Sequence, residues 1–336
     1  MTLLQKLLHL TDFRNPFLRT LVPSVAAAFA IQTVVALPSI ALQSERLYDA
    51  SGSATFLAVS LLSLYLPGAR SKVAASVASS GPGVYGVLSR WWPSLLAPFA
   101  RGAGRAVVLN WRSVAMTAAV GVWSVRLGSY LLSRILSSGH DSRFDSIRKS
   151  PPKFAAAWLG QATWVSQCLM PVVAVNSVPA LAFAALPAVL ATDVLGIALF
   201  VGGFGFEIAA DRQKSRWLRE RREKSHEEDF LTKGLWSRSQ YPNYFGECML
   251  WTGIATMAAG VLMTNPVQVG FGLSGGLSGS LLALGLSYAS PAFTSFLLLK
   301  VTGIPMSEKK YDKRYGDRKD YLVWKQNTPK FFPKIT

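Results

Sequence analysis

Uncharged apolar runs recur along the chain, and their lengths set the first expectation. Leu21–Gln43 is 23 residues without a charge. A helix rising about 1.5 Å per residue over that length crosses the roughly 30 Å hydrocarbon layer of a bilayer. The run is too long for a signal-peptide core, and no small-residue cleavage site closes it. Ala54–Leu66 is a shorter, weaker run. Val114–Leu132 is apolar apart from Arg126, and Phe154–Val175 apart from Gln161. The next stretch runs on to Phe206 with the single charge Asp193, and a break is expected near Pro187. Cys248–Leu299 holds no charge over 52 positions, too many for one span. Asn265-Pro266 and Gly275-Gly276 are its natural breakers and predict a helical hairpin. The pattern predicts an all-α, polytopic membrane bundle of about seven spans.

Composition and charge agree with that pattern. The chain has 336 residues, of which 50% are hydrophobic and only 16% charged, against about 25% charged in soluble domains. Lys and Arg total 35 and Asp and Glu 18, a net charge of +17. Half-apolar composition excludes a disordered basic tail and argues against a soluble DNA-binding domain, so no nucleic-acid partner is expected. Cys168 and Cys248 both lie in apolar segments, which excludes a disulfide scaffold or a Cys-rich zinc site. The surplus charge collects in Arg134–Lys153, Asp211–Lys233 and Gly303–Thr336. Two spans separate each from the next, so all three share one face, which the positive-inside rule makes cytosolic. No Asp or Glu occurs between Asp49 and Asp141 while eight Arg and Lys do. Either Val84–Ala100 enters the membrane or Arg70–Arg112 lies on its surface; the sequence leaves both open.

Four groups of polar residues are candidates for chemistry. Glu207, Asp211 and Lys214 stand at i, i+4 and i+7 on one face of a helix leaving the membrane. Carboxylates there oppose the macrodipole; a ribose-binding role accounts for them, and so does an acid–base ladder at the headgroups. In Gly234–Glu247, Pro242 suits the first helical position, and Asn243 and Glu247 lie one turn apart. That string is either a well-formed helix start or an ionisable site at the apolar boundary. The tail carries Glu308, Lys309, Lys310, Tyr311, Arg314 and Tyr315, followed by Tyr321 and Trp324. Aromatics interleaved with cations can stack an adenine and hold phosphates, or form an amphipathic helix on anionic lipid. Arg126, Tyr130 and Arg134 share a face, with Glu207 or Glu247 as a partner for Arg126, or snorkelling as the alternative. Walker A, GxGxxG, HExxH and GxSxG signatures are lacking in the required contexts.

Seven strings in order carry a family resemblance: Arg126-Leu-Gly-Ser-Tyr-Leu, Gly139-His-Asp-Ser-Arg-Phe144, Gln161-Ala-Thr-Trp164, Ala210-Asp-Arg-Gln-Lys214, Gly234-Leu-Trp236, Pro242-Asn-Tyr-Phe-Gly-Glu247 and Glu308-Lys-Lys310. From about Val122 to Pro333 the chain resembles multi-pass membrane proteins with a steroid 5α-reductase-like C-terminal domain. Their relatives are sterol reductases and, more remotely, isoprenylcysteine carboxyl methyltransferases. Residues 1–110 are expected to form an N-terminal membrane region with a basic loop and carry no recognised resemblance, while over 111–336 the resemblance implies a reductase-like membrane domain with a cytosolic tail. It implies NADPH as cofactor, a lipophilic small-molecule substrate reached through the bilayer, and the endoplasmic reticulum as the eukaryotic location. By the same resemblance Asn243 and Glu247 face the cofactor, Asp211 is an acidic position on the preceding helix, and Arg314-Tyr315 lies where the tail closes over the nucleotide. Lys214, Glu308 and Lys309 complete the implied cofactor set. Where the family reads Ser-Arg-His-Pro-Asn-Tyr, this chain has Ser239-Gln240-Tyr241-Pro-Asn-Tyr, with Arg238 as a nearby substitute cation.

The expected activity is hydride transfer from NADPH to an enone or related alkene lipid. A donor polarises the substrate oxygen, with Tyr241, Tyr244 and Glu247 the candidates by position. The alternatives are an S-adenosylmethionine-dependent methyltransferase of the isoprenylcysteine type and a non-catalytic lipid-binding protein.

Overall fold

The computed structural model describes residues 3–78, 109–139 and 141–334. Every described element is helical. In chain order they are α1 (Leu3–Leu10), α2 (Pro16–Ala41), α3 (Tyr48–Ala78), α4 (Trp111–Ser138), α5 (Pro151–Asn176), α6 (Ala180–Ala184), α7 (Ala191–Arg222), α8 (Pro242–Leu262), α9 (Asn265–Gly270), α10 (Leu277–Phe296), α11 (Ile304–Tyr315) and α12 (Lys319–Asn327). Proline opens α2, α5 and α8, where its missing N–H costs no helical hydrogen bond. The hairpin after α8 turns through α9 and through Gly272 and Gly275 at φ 72° and 71°, a region open to glycine. The break near Pro187 is present as the non-helical segment between α6 and α7.

Six described helices are long and apolar enough to cross a membrane: Pro16–Ala41, Tyr48–Ser71, Trp111–Ser137, Ala191–Arg222, Pro242–Leu262 and Leu277–Tyr315. Together they are consistent with a polytopic membrane bundle. The seventh expected span, α5, has the length but not the apolarity. It is the most interior helix of its neighbourhood, packed against α2, α3 and α4, with 14 of its 26 residues buried. Its buried amides Gln161 and Asn176 hydrogen-bond to neighbouring helices, Asn176 to Ser63 Oγ at 2.9 Å and Thr117 Oγ1 at 3.1 Å. Ala54–Leu66, by contrast, understates α3. Ser and Thr dilute the hydropathy of that run, but their hydroxyls bond back to the helix itself, as Ser60 does to the Leu57 carbonyl and Ser63 to that of Ser60. The question of Val84–Ala100 falls on 79–108, outside the described residues.

The chain divides into two compact units. The first comprises Met1–Asp193 and Met257–Ala289, the second Val194–Thr256 and Ser290–Thr336.

In the first unit the motif strings close helix against helix. Gly128 lies so near Ser53 of α3 that an added Cβ would sit 2.6 Å from the serine Cβ. Gln161 donates to Gln32 Oε1 at 3.0 Å, to the Tyr48 carbonyl at 2.8 Å and to Ser51 Oγ at 3.3 Å. Gln32 in turn donates to Thr55 Oγ1 at 2.6 Å. Trp164 stands edge-on to Phe56, and so does Trp123. Gly139 ends α4 in the left-handed region at φ 78°. Asp141 then caps the short turn Ser142–Phe144 and pairs with Arg143, which also reaches Asp49 at 2.7 Å. The Arg126 guanidinium stands over the Tyr130 ring. Arg112 and Asp193, 2% and 0% exposed, form a buried pair at 2.9 Å, and Arg112 also donates to the Pro187 carbonyl.

In the second unit α7 and α8 meet backbone to backbone. A Cβ on Gly203 would lie 2.5 Å from Leu250 N, and one on Gly253 2.5 Å from the Gly196 carbonyl. Both helices thus place glycines seven residues apart on the contact face, the close approach that small residues permit between membrane helices.

Candidate functional site

In the second unit a cleft opens between α7, the loop after it, the start of α8, α11 and α12. Lys214 and Trp217 come from α7, Phe230, Leu231, Trp236 and Gln240 from the connecting loop, and Tyr241, Asn243 and Tyr244 from the α8 start. Ser307 and Tyr311, one turn apart on α11, and Tyr321 and Trp324 on α12 complete the wall. Eight of these thirteen residues are aromatic, one is a cation and none is a carboxylate. The lining therefore offers flat apolar faces, one positive charge and a few amides and hydroxyls.

Local sequence explains how the walls are set. Gly234 takes φ 62° and lies against the Gln213 side chain, 2.6 Å from where a Cβ would be. The turn it opens lets Leu235 N–H donate to Gln213 Oε1 at 2.9 Å, and Trp236 Nε1 to the Ala210 carbonyl at 3.1 Å. The Ala210–Lys214 and Gly234–Trp236 strings are thus locked together. The Lys214 ammonium, 4.9 Å from the Trp236 ring centre, gains a cation–π contact. Gly246, inside the Pro242–Glu247 string, admits the α7 backbone: a Cβ there would lie 2.7 Å from Glu207 N. That contact sets the start of α8 beside α7. Tyr241 and Tyr244 then stack almost parallel, with rings 5.7 Å apart.

The tail forms the opposite wall. Tyr321 donates to Asp312 at 2.7 Å, Trp324 Nε1 to the Trp236 carbonyl at 3.3 Å, and Tyr315 to the Asp229 carbonyl at 3.0 Å. Arg318 pairs with Asp229 and Asp320. Gln240 holds the segment beyond α12. Its side-chain amide donates to the carbonyls of Lys325 at 2.9 Å and Thr328 at 2.7 Å, and its backbone N–H to that of Pro329 at 2.9 Å. Ser239 Oγ donates to the Phe331 carbonyl at 2.9 Å. Where the resembled family has an arginine, this chain has a residue that docks its own tail.

Two lining residues bring polar atoms of note. Asn243 Oδ1 is buried and accepts no hydrogen bond, although a buried acceptor is ordinarily satisfied. The Tyr241 phenol is pushed up by burial, and further by the nearby Glu308 carboxylate, so it stays protonated and able to donate at neutral pH.

Of the ten residues expected at the site, Lys214, Tyr241, Asn243 and Tyr244 line this cleft. Tyr315 packs behind it on Phe230 and Tyr321. Asp211 is buried and Glu247 half-buried, and neither is a lining residue. Glu308 pairs with Lys330 at 2.9 Å and with Lys325 at 3.6 Å. Lys309 is exposed, and Arg314 lies over the Tyr315 ring. Arg238, the proposed substitute cation, is exposed and outside the lining. Trp217, Phe230, Leu231, Gln240 and Ser307 were not singled out as site residues from sequence. Trp217 stands one turn beyond Lys214, which could have flagged it; Phe230 sits in a polar loop with no periodicity to mark it.

No curated protein and no solved structure matches the chain. The profile of a family described as "Protein of unknown function (DUF1295)" matches residues 79–274 and 275–328. That match takes in well over half of the chain, including every residue of the cleft, and the protein belongs to the DUF1295 family.

Proposed function

We propose that the protein is a membrane reductase that takes NADPH in the aromatic cleft and reduces a lipophilic enone or related alkene, on a C-terminal half of steroid 5α-reductase type. The observation that carries this reading is Asn243, a residue of the cleft lining whose buried Oδ1 has no hydrogen-bond partner. A carboxamide or exocyclic amine of a dinucleotide supplies the donor it lacks. The flat faces of Trp217, Trp236, Tyr311 and Trp324 suit a planar ring, and Lys214 suits a phosphate. Gln240 contributes no charge, and its amide hydrogens already hold the tail. The chemistry of these side chains supports a nucleotide there, with Lys214 the one lining cation.

NADPH, when bound, supplies the hydride. The chain's part is to bind, orient and exclude water. Asn243 fixes the orientation of a ring amide, the aromatic walls exclude water, and the Tyr241 hydroxyl donates a hydrogen bond to a substrate oxygen on which negative charge develops. Tyr244, stacked on Tyr241, holds that ring in place. The bilayer delivers the lipophilic substrate, and the basic loops face the cytosol under the positive-inside rule. The endoplasmic reticulum is the compartment that the resemblance implies.

One observation favours a second reading. Eight aromatics with a single lining cation also suit S-adenosylmethionine, whose sulfonium is attracted to aromatic faces and which brings no phosphates. Thermal unfolding of the detergent-purified full chain separates the two. The reductase reading predicts stabilisation by NADPH that grows with its concentration, to about 2.7 kcal/mol at a hundredfold excess over Kd, with no effect of S-adenosylmethionine. Stabilisation by S-adenosylmethionine alone overturns it in favour of the methyltransferase. Stabilisation by neither overturns both.

A further inference from the structure

α7 is longer than a membrane is thick. Its 32 residues extend about 48 Å at about 1.5 Å each, against roughly 30 Å of hydrocarbon. The stretch Val194–Ala210 carries one charged residue, Glu207, and that residue is buried. The next twelve residues carry six cations, Arg212, Lys214, Arg216, Arg219, Arg221 and Arg222, against the two acids Asp211 and Glu220.

These cations have different fates. Lys214 faces the cleft and Arg221 pairs with Asp229 at 3.0 Å. Arg212, Arg216 and Arg219 fall at i, i+4 and i+7 and so share one helical face, and all three are exposed. Arg216 touches Glu220 at 2.9 Å through a side chain that is 73% exposed, a contact of little energetic weight. Arg212 and Arg219 make no ion pair among the described residues. The face therefore keeps a net positive charge of arginine type, and guanidinium groups bind phosphate oxygens in bidentate fashion. Every Cα–Cβ bond on a helix tilts toward its N-terminus. The N-terminal part of α7 is the apolar part, so these side chains lean back toward the membrane surface.

We propose that the Arg212–Arg216–Arg219 face of α7 binds the phosphate groups of anionic membrane lipids where the helix leaves the bilayer. The partner follows from charge complementarity and placement: the stripe begins two residues beyond the apolar stretch and continues for about two turns, within reach of a headgroup layer. It is separate from the cleft, and it stands whether the cleft takes a nucleotide or not.

The test is fluorescence anisotropy of the detergent-purified full chain titrated with labelled phosphatidic acid in mixed micelles. Phosphatidylcholine of the same chain length and inorganic pyrophosphate serve as the other arms. Phosphatidic acid is expected to bind at least about tenfold more tightly than phosphatidylcholine. R212Q/R216Q/R219Q is expected to lose about fivefold per arginine. R212K/R216K/R219K keeps the charge but loses the bidentate fit, and falls between. Glutamine is nearly as good a helix former as arginine, so the melting temperature stays put. Should the triple variant not fold, the three single variants are expected to lose about fivefold each. Unchanged affinity in the glutamine variants overturns the proposal. Displacement of phosphatidic acid by pyrophosphate at equal phosphate concentration overturns it too, by assigning the face to soluble phosphates.

Discussion

Two carboxamides, one in each unit and both within the motif strings, are satisfied to different degrees. Gln161 in the first unit is enclosed by partners: Gln32, Ser51 and the Tyr48 carbonyl take its hydrogens, and Gly52 leaves room for it, a Cβ there lying 3.0 Å from the amide carbon. Asn243 in the second unit keeps a buried oxygen without a donor, and a cleft opens beside it. The motif strings divide the same way. Arg126–Leu131, Gly139–Phe144 and Gln161–Trp164 join helix to helix by close packing, an ion-paired turn and aromatic edges. Ala210–Lys214, Gly234–Trp236 and Pro242–Glu247 meet one another and leave a cavity. Motif strings in one membrane protein can thus close helix against helix in one place and border a cleft in another. What separates them is whether the polar atoms they bring are already satisfied.

The largest expected effect comes from breaking the contact that sets the cleft. Gly246→Leu forces side-chain atoms into the α7 backbone, where even a Cβ would lie 2.7 Å from the Gly203 carbonyl. Backbone atoms cannot yield as a side chain can, so this variant is expected to lose the cleft. Protease sensitivity across 210–250 and 304–330 reports that loss. Asp193→Ala comes next. It leaves the buried Arg112 guanidinium without its carboxylate, a change that costs about 3–5 kcal/mol. The melting temperature should fall steeply, and Arg112→Met in the same chain should restore much of it. If the single variant is as stable as the parent, the pair is not the clasp that its burial indicates.

Gln161→Leu sharpens the comparison directly. Removing the amide strands Gln32 Oε1 and costs about 1–2 kcal/mol of stability, while ligand affinity in the second unit is unchanged. Affinity that falls along with stability would undo the distinction between closed and open polar groups. The smallest effect is acidic. Burial raises the Asp141 pKa, but the hydrogen bonds and charge of Arg143 outweigh it, so the carboxyl titrates below its ordinary value. Glu45 is likewise lowered, its burial outweighed by the Asp141 N–H and by Arg148. A depressed carboxylate stabilises the fold fully above its unfolded value of about 4 and loses that contribution as the pH falls through its folded value. These pairs are partly exposed, so about 0.5–1 kcal/mol should disappear below about pH 4. Asp141→Asn should flatten that part of the stability profile.

The spans were legible in the sequence because hydrocarbon admits few charges. Asp193 and Arg112 hide from that rule by pairing, and α5 was counted as a span because Phe154–Val175 carries no charge, although its Gln161 and Asn176 make it less apolar than the other six. The glycine contacts were harder to see. Gly203 and Gly246 look like ordinary apolar-segment residues until α7 and α8 are brought together. At the candidate site, Lys214, Tyr241, Asn243 and Tyr244 were visible through motif spacing. The aromatic wall was only half visible: Tyr311, Tyr321 and Trp324 stood out in the tail, whereas Phe230 belongs to an irregular loop. Gln240 looked like the loss of a family cation. Its part in docking residues 325–329 depends on chain positions 85 or more residues away, which local pattern cannot reveal.

On the proposed reading, the aromatic cleft of the second unit is a nucleotide site read by Asn243. Trp217, Trp236 and Trp324 line it, so bound NADPH should receive their excitation. Titrating the purified full chain with NADPH and following energy transfer from tryptophan is the most direct test. Saturable transfer is expected in the parent, and at least about tenfold weaker binding in Asn243→Ala at an unchanged melting temperature. Transfer that never saturates, or an Asn243→Ala chain that binds as the parent does, would contradict that reading.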